Sequence, residues 1–161
     1  MYSEILTLLE ETKFPTNKSR KNVSDSKLNC FVLGDVAYRR YINGKLIGPS
    51  RHTKKYPQLF EKLNEFIKEV DPDFQFTSIQ VNKNVLCKPH IDDNNAGLSY
   101  IIGLGDYTDG ELVIESEKYD IKNKWKLFDG HKLHWTEPFT GNRYSLIYFV
   151  HSHSSKKSCK I

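Results

Sequence analysis

The sequence predicts an α+β chain, mainly β, with helices first and an antiparallel sandwich or barrel after them. Residues 57–70 repeat apolar side chains at three- and four-residue intervals, the period of a helix with one buried face. From residue 74 onward the chain breaks into short β-rich segments divided by turn residues, a pattern of antiparallel strands and not of βαβ units. An aromatic share of 12%, with nine Tyr and nine Phe, also favours strands.

Taken in order, residues 3–11 read as a short helix, with Ser3 as its cap and Ile5, Leu6, Leu8 and Leu9 as its apolar stripe. Residues 16–29 are polar and basic, carrying Lys18, Arg20, Lys21 and Lys27, and read as a surface loop. Residues 30–41, rich in Val, Leu and Tyr, read as a strand that ends in an Asn43-Gly44 turn. A second polar stretch fills 48–56. The helix of 57–70 opens on Pro57, which suits a first turn, and presents Leu59, Phe60, Leu63, Phe66, Ile67 and Val70. Strands are expected over 74–86, 98–104, 111–115, 124–128 and 144–150. Asn94-Asn95, Asp109-Gly110, Asp129-Gly130 and Gly141-Asn142 supply the breaks between them. A polar tail, 151–161, closes the chain.

The 161 residues suffice for one domain with a real core and not for two, so a single domain is expected: a helical region over about 1–73, a β core over about 74–150 and the tail. No apolar run approaches the roughly 18 residues of a membrane span. Residues 1–11 lack the basic start of a secretion signal. Cys30, Cys87 and Cys159 are too few and too scattered for a disulfide framework, which predicts reduced thiols and an intracellular setting, cytoplasm or nucleus. A net charge of +4 permits a polyanionic partner without demanding one. A monomer is expected.

The chemistry gathers in the second half. In His90-Ile91-Asp92, residues two apart on an extended strand leave on one face, so an imidazole and a carboxylate can reach one metal ion. Taken alone this pair is weak evidence and reads more readily as two polar side chains at the surface. His134 follows, within the segment Phe128 to Phe139, and nine residues later stands Arg143, with Ser145 on the same strand face. Two histidines and a carboxylate make the facial triad of non-haem Fe(II) oxygenases, which leaves positions open for a bidentate 2-oxo acid and O₂. The planar fork of an arginine pairs with the far carboxylate of such an acid.

This ordered set, His90-x-Asp92, His134 and Arg143-x-Ser145, resembles the Fe(II)/2-oxoglutarate-dependent dioxygenase superfamily over about residues 74–150. Residues 78–84 resemble the Asn-x-Asn strand that touches 2-oxoglutarate in nucleic-acid-acting members, which implies cosubstrate roles for Asn82 and Asn84; Tyr100 joins them as an implied contact. Tyr107 to Leu112 is similar to the family's Gly-Gly-x-Leu hairpin, with Asp109 where a Gly is common and Gly110 left to supply the positive φ. The resemblance implies a double-stranded β-helix (jelly-roll, cupin-like) core with the N-terminal helices packed on one sheet. It also implies an oxidoreductase that uses Fe(II), 2-oxoglutarate and O₂, releases succinate and CO₂, and takes ascorbate as a candidate reductant.

Rivals for these places are visible. His131 competes with His134 as third ligand; the spacing to Arg143 and the Pro-Phe-x-Gly-x-Arg that follows favour His134. Asp93 points to the face opposite Asp92. Two His and a carboxylate also suit catalytic zinc, and Cys87 near His90 invites that reading, although a buried strand thiol is the simpler account of it. His151 and His153 read as solvated tail residues.

The substrate side falls to the N-terminal half, where Arg39, Arg40, Lys45, Arg51, His52, Lys54 and Lys55 interleave with Tyr38, Tyr41 and Tyr56. Such interleaving suits phosphates with a stacked base, or simply a solvated face. Asp93 and Asn95 join the candidate substrate residues. Within the superfamily, 82–84 and 92–99 look most like the TET/JBP-like pyrimidine hydroxylases, which implies DNA or RNA as substrate and a 5-methylpyrimidine as target. The Gly110-Glu111-Leu112 hairpin and the strand after Pro138 also resemble protein prolyl and lysyl hydroxylases, whose prolyl members often carry Lys in place of Arg143. An inactive binding module is the reading from another class.

Overall fold

A computed structural model describes residues 1–18, 20–42 and 45–152, with side chains throughout except at 38–42 and 45–46. Helix α1 (Tyr2–Glu11) turns Ile5 and Leu9 inward, as its apolar spacing dictates. Ser3 is not its cap. Met1 occupies that position and its carbonyl accepts the first helical bond from the Ile5 N–H at 3.1 Å, which leaves Ser3 inside the first turn.

Strand β1 (Thr16–Asn17) pairs with β2 (Leu28–Ile42). The residues between them are not the free surface loop expected. Val23 is wholly buried against Leu28, Cys30 and Val85, and its carbonyl accepts from the Lys88 N–H at 2.7 Å. One apolar side chain in a basic run has no periodicity to announce it. Strand β3 (Lys45–Pro49) folds back on β2, with Ile42 and Lys45 as register partners; the expected Asn43-Gly44 turn lies outside the described residues. The polar stretch after it is ordered too. Ser50 Oγ accepts the Thr53 N–H and caps α2 (Arg51–Lys55).

Helix α3 (Pro57–Phe66) runs on as a 3₁₀ turn, Ile67–Glu69. Then come β4 (Ser78–Lys83), β5 (Asn95–Leu104), β6 (Tyr107–Asp109), β7 (Leu112–Ile114), β8 (Glu117–Tyr119), β9 (Lys126–Phe128), β10 (His134–Thr136), β11 (Phe139–Gly141) and β12 (Tyr144–His151). The larger sheet has the order β1-β2-β4-β12-β5-β9, with β3 on the edge of β2. Two smaller sheets, β10-β7-β8 and β11-β6, complete the strand set, and every strand pair is antiparallel.

The period-two rule decides what each strand offers to each side. Phe31, Leu33, Ile79, Val81, Ile102, Leu104, Leu146 and Tyr148 meet Ile5, Leu9, Leu59, Leu63 and Phe66 of the helices. Each such side chain, fully buried, stabilises the fold by about 1.5–3 kcal/mol. Tyr148 Oη donates to the Leu63 carbonyl at 2.6 Å and ties α3 to the sheet. The alternate residues, Gln80, Asn82, Ile101, Arg143, Ser145 and Ile147, face the other way and line an inner pocket. The smaller sheets contribute Leu112 and Ile114, which cluster with Ile101, Ile121 and Phe128. Among the described residues, no helix is long and apolar enough to cross a membrane.

Candidate metal and cosubstrate site

His90 and His134 face each other as a hydrogen-bonded antiparallel pair, with N–H···O bonds of 3.0 Å in both directions. That pairing sends both imidazoles to one side, ring centroids 4.3 Å apart. Asp92, two residues on, is held by its N–H to the Gly130 carbonyl at 2.8 Å. A Cβ on Gly130 would come within 3.2 Å of Asp92 Oδ2, so the glycine makes room for the carboxylate. His90 Nε2 stands 3.5 Å from Asp92 Oδ1, and His134 Nε2 stands 3.3 Å from Asp92 Oδ2. Two ligands at right angles on one ion, each about 2.1 Å away, would be about 3 Å apart, so these donors are close to the spacing of a shared metal.

The protonation of the site agrees. His90 Nδ1 lies 2.6 Å from the Lys88 carbonyl and His134 Nδ1 lies 2.8 Å from the Lys132 carbonyl. A carbonyl only accepts, so each Nδ1 carries a hydrogen, which leaves each inward-facing Nε2 as the atom that bonds Asp92 when protonated and offers a lone pair to a metal when it is not. Burial lowers the pKa of His90 against the opposing pull of the Lys88 carbonyl and Asp92. For His134, burial also works to lower it, but the Asp92 hydrogen bond and the Lys132 carbonyl outweigh this and leave it raised. Burial would raise Asp92; the bond to His134 and the charges of both histidines hold it below the usual carboxylate range. The donor set therefore fits a divalent cation that accepts mixed nitrogen and oxygen ligands. It is the one such cluster of three among the described residues.

Behind the triad the pocket, about 610 Å³ with its open mouth included, ends at Arg143 and Ser145. Arg143 is only 3% exposed, yet it forms no ion pair among the described residues. Its Nε donates to the Gly110 carbonyl at 3.2 Å, and its guanidinium lies 5.5 Å from the Tyr107 ring centre and 5.6 Å from that of Phe139. Burial pulls its pKa down, with the Tyr107 hydroxyl opposing. A buried cation without a counter-ion is costly unless an anion joins it, and a carboxylate is the matching shape. Gln80 Nε2 donates to Asn82 Oδ1 at 3.0 Å, and Asn82 Nδ2 donates to Ser145 Oγ at 3.1 Å. Ser145 Oγ, already accepting, is left free to donate its hydrogen to an anion. The pocket residues thus fit a 2-oxo dicarboxylate as well as a metal.

The hairpin before Arg143 explains itself here. Asp109 has φ +64° and Gly110 has φ +68°, so both positions are left-handed and Asp109 takes the place where a second Gly is common. A Cβ on Gly110 would meet Phe139 Cβ at 2.9 Å and Arg143 Nε at 3.0 Å. The glycine is required by the arginine it carries.

Two implied cosubstrate residues are corrected. Tyr100 leaves β5 on the helix side, where its hydroxyl donates to Asp71 Oδ2 at 3.2 Å and its ring meets Phe74 and Trp125. It shares parity with Ile102 and Leu104, not with Ile101 of the pocket. Asn84 is exposed in a left-handed turn, φ +53°, beyond the end of β4. Its Oδ1 accepts the Arg143 N–H at 2.7 Å, so it braces the backbone of the anchor without entering the pocket.

His131 is exposed, and its N–H donates to Asp129 Oδ1 in the turn expected for it. Cys87 lines the pocket outside the ligand cluster. His151 is 8% exposed as the last residue of β12, not a solvated tail residue, because β12 runs farther than the apolar run suggested; His153 lies outside the described residues. Asp93, Asn95 and Arg51 line a second, outer basin, and Asn95 also reaches the inner pocket. The side chains of Arg39, Arg40 and Lys45 fall outside the described residues. Sequence reasoning missed Arg20, which lines both cavities. It stands in a run of like charges that gives no local sign of it, and it lines the same pocket as the triad.

No protein-family model matches this chain, and no curated protein matches it. Solved structures do. An oxidoreductase of the 2OG-Fe(II) oxygenase family from Burkholderia pseudomallei superposes with a TM-score of 0.61 at 14% identity, over 94% of this chain and 79% of that one. OsALKBH1 superposes with a TM-score of 0.55 at 12% identity, over 92% and 91%. At these identities the likeness establishes the fold. The chain is a double-stranded β-helix with helices on one sheet, as the motif order implied.

Proposed function

We propose that this chain is an Fe(II)- and 2-oxoglutarate-dependent oxygenase that hydroxylates a nucleic-acid base, of the 5-methylpyrimidine type. One observation carries the first part. A triad with both Nε2 atoms turned inward and a buried, unpaired Arg143 share one pocket. Iron, when bound, couples the oxidative decarboxylation of 2-oxoglutarate to the oxidation of a C–H bond. The balance is 2-oxoglutarate, O₂ and R–H to succinate, CO₂ and R–OH, with ascorbate as an auxiliary reductant.

The chain's own contributions are positional. His90, Asp92 and His134 would hold the metal from one side and leave its other side open. Arg143 and the Ser145 hydroxyl would receive the distal carboxylate of 2-oxoglutarate, and Asn82 fixes the direction of that hydroxyl. Ile101, Leu112, Phe128 and Ile147 keep the walls apolar and exclude water. The same triad would hold zinc, but a hydrolase leaves the unpaired Arg143 without a purpose.

The substrate reading is supported by Arg51 and His52 in the outer basin and by the resemblance of 82–84 and 92–99 to pyrimidine hydroxylases. The test is Fe(II)-dependent succinate release, followed by mass spectrometry of thymine- and 5-methylcytosine-containing oligonucleotides beside prolyl and lysyl peptides. Gain of one oxygen atom on a base supports the reading. Gain on a peptide moves it to the protein hydroxylases, and no succinate under any condition refutes the oxygenase assignment.

A further inference from the structure

Three cavities adjoin through shared wall residues. The inner pocket and the outer basin share Arg20, Gln80, Asp92, Asn95 and Phe149 in their walls. The outer basin and a third groove share Asn17, Arg51 and His52. The charge along this path is graded. Asp35 and Asp93 also line the outer basin, while the third groove carries Lys18, Lys21 and Arg51 with no acidic side chain among the described residues of its wall. Lys18, Lys21 and Arg51 are exposed and Arg20 is half-buried. None of the four forms an ion pair among the described residues.

Arg20 belongs to the wall that the inner pocket shares with the outer basin, and so does Asp92. Asp92 is nevertheless bonded to the histidines and not to Arg20. An arginine held at a mouth between a metal pocket and a cationic groove has the fork geometry that a phosphate takes bidentately. Along the groove His52, whose ring lies parallel to Tyr56 at 6.4 Å, offers a flat face to a base.

We propose that Arg20 anchors the phosphate of the nucleotide whose base enters the inner pocket, and that Lys18, Lys21 and Arg51 carry adjoining phosphates of a single strand. This rests on the nucleic-acid reading above and adds to it the strand state and the residues. A base inside a duplex must break its pairing and its stacking to enter such a pocket, and a single strand has no pairing to break.

The test uses fluorescein-labelled oligothymidylate and oligouridylate of about eight nucleotides, within the usual site size of a cationic groove with stacking rings. Anisotropy is read on protein loaded with Mn(II) and N-oxalylglycine, at several salt concentrations. Arg20→Ala should weaken binding by tenfold or more and reduce the slope of log affinity against log salt by about 0.7, the loss of one phosphate contact on a single strand. Arg20→Lys should restore the slope. Lys68→Ala, the same charge loss at an exposed position of the 3₁₀ turn after α3, should leave both unchanged. An unchanged slope in Arg20→Ala, an equal effect of Lys68→Ala, or tighter binding of a duplex of the same sequence overturns the inference. Succinate release by the wild type is measured beside it. Succinate without oligonucleotide binding sinks the inference alone; binding without succinate sinks the oxygenase reading alone.

Discussion

Replacing Arg143 with Met separates its two energetic roles with opposite signs. The guanidinium is buried without a counter-ion, so its removal costs the free protein little. Met has a similar volume and keeps the contacts with Tyr107 and Phe139. What is lost is the bond from Nε to the Gly110 carbonyl, about 1–3 kcal/mol, against the relief of burying an unpaired charge, a term of similar size. The melting temperature of the free protein should therefore move by only a few degrees. Cosubstrate binding should collapse. Two charge-assisted hydrogen bonds of about 1.5–3 kcal/mol each amount to about 3–6 kcal/mol, which is roughly 10²–10⁴-fold in affinity. With Mn(II) present and 2-oxoglutarate at about 100 times its Kd, the wild type should gain about 2.7 kcal/mol, or about 5–10 °C in melting temperature. Arg143→Met should show no such gain. A variant that keeps the 2-oxoglutarate shift would refute the anchor. A loss of much more than 10 °C in the free protein, against the few degrees expected when the two burial terms offset, would mean that Arg143 is a structural cation.

Three further outcomes are expected. His134→Ala should lose Mn(II) binding by isothermal titration calorimetry by at least 100-fold, more than the 10–100-fold typical of losing an outer-shell partner, while His131→Ala binds like the wild type; equal losses would put the third ligand elsewhere. Gly110→Ala, with φ +68° and its new Cβ at 2.9 Å from Phe139 Cβ, should lower stability by about 1–3 kcal/mol and raise the KM for 2-oxoglutarate through the displaced Arg143. Denaturant unfolding at wild-type stability would contradict it. Tyr148→Phe removes the 2.6 Å bond to the Leu63 carbonyl and should cost about 1 kcal/mol with no change in that KM, because Tyr148 faces the helices. A raised KM there would mean that the sheet transmits strain to the pocket.

The candidate ligands and the proposed anchor could be singled out in the sequence because their shared faces depend on local geometry. His90 and Asp92 share a face through the two-residue period, Arg143 and Ser145 do the same, and the hairpin of Asp109 and Gly110 announces itself by residue type. Tyr100 and Asn84 were misread because a motif assigns residues by resemblance, while parity and strand ends assign them by backbone. Tyr100 has the parity of Ile102, and Asn84 stands one residue past the end of β4. A family pattern says which residues recur; it does not say which side of this sheet they face.

The chain's order of residues by itself determined the mainly β class, the candidate triad, the arginine proposed as anchor and the helix at Pro57, since periodicity and turn chemistry act over a few residues. The tertiary structure alone decided the rest. It showed that the basic segment after β1 is docked through the buried Val23, that Arg20 lines the pocket of the triad, and that three cavities adjoin through shared wall residues. Those facts depend on contacts between residues far apart in sequence, such as the Lys88 N–H on the Val23 carbonyl, and no local pattern encodes them.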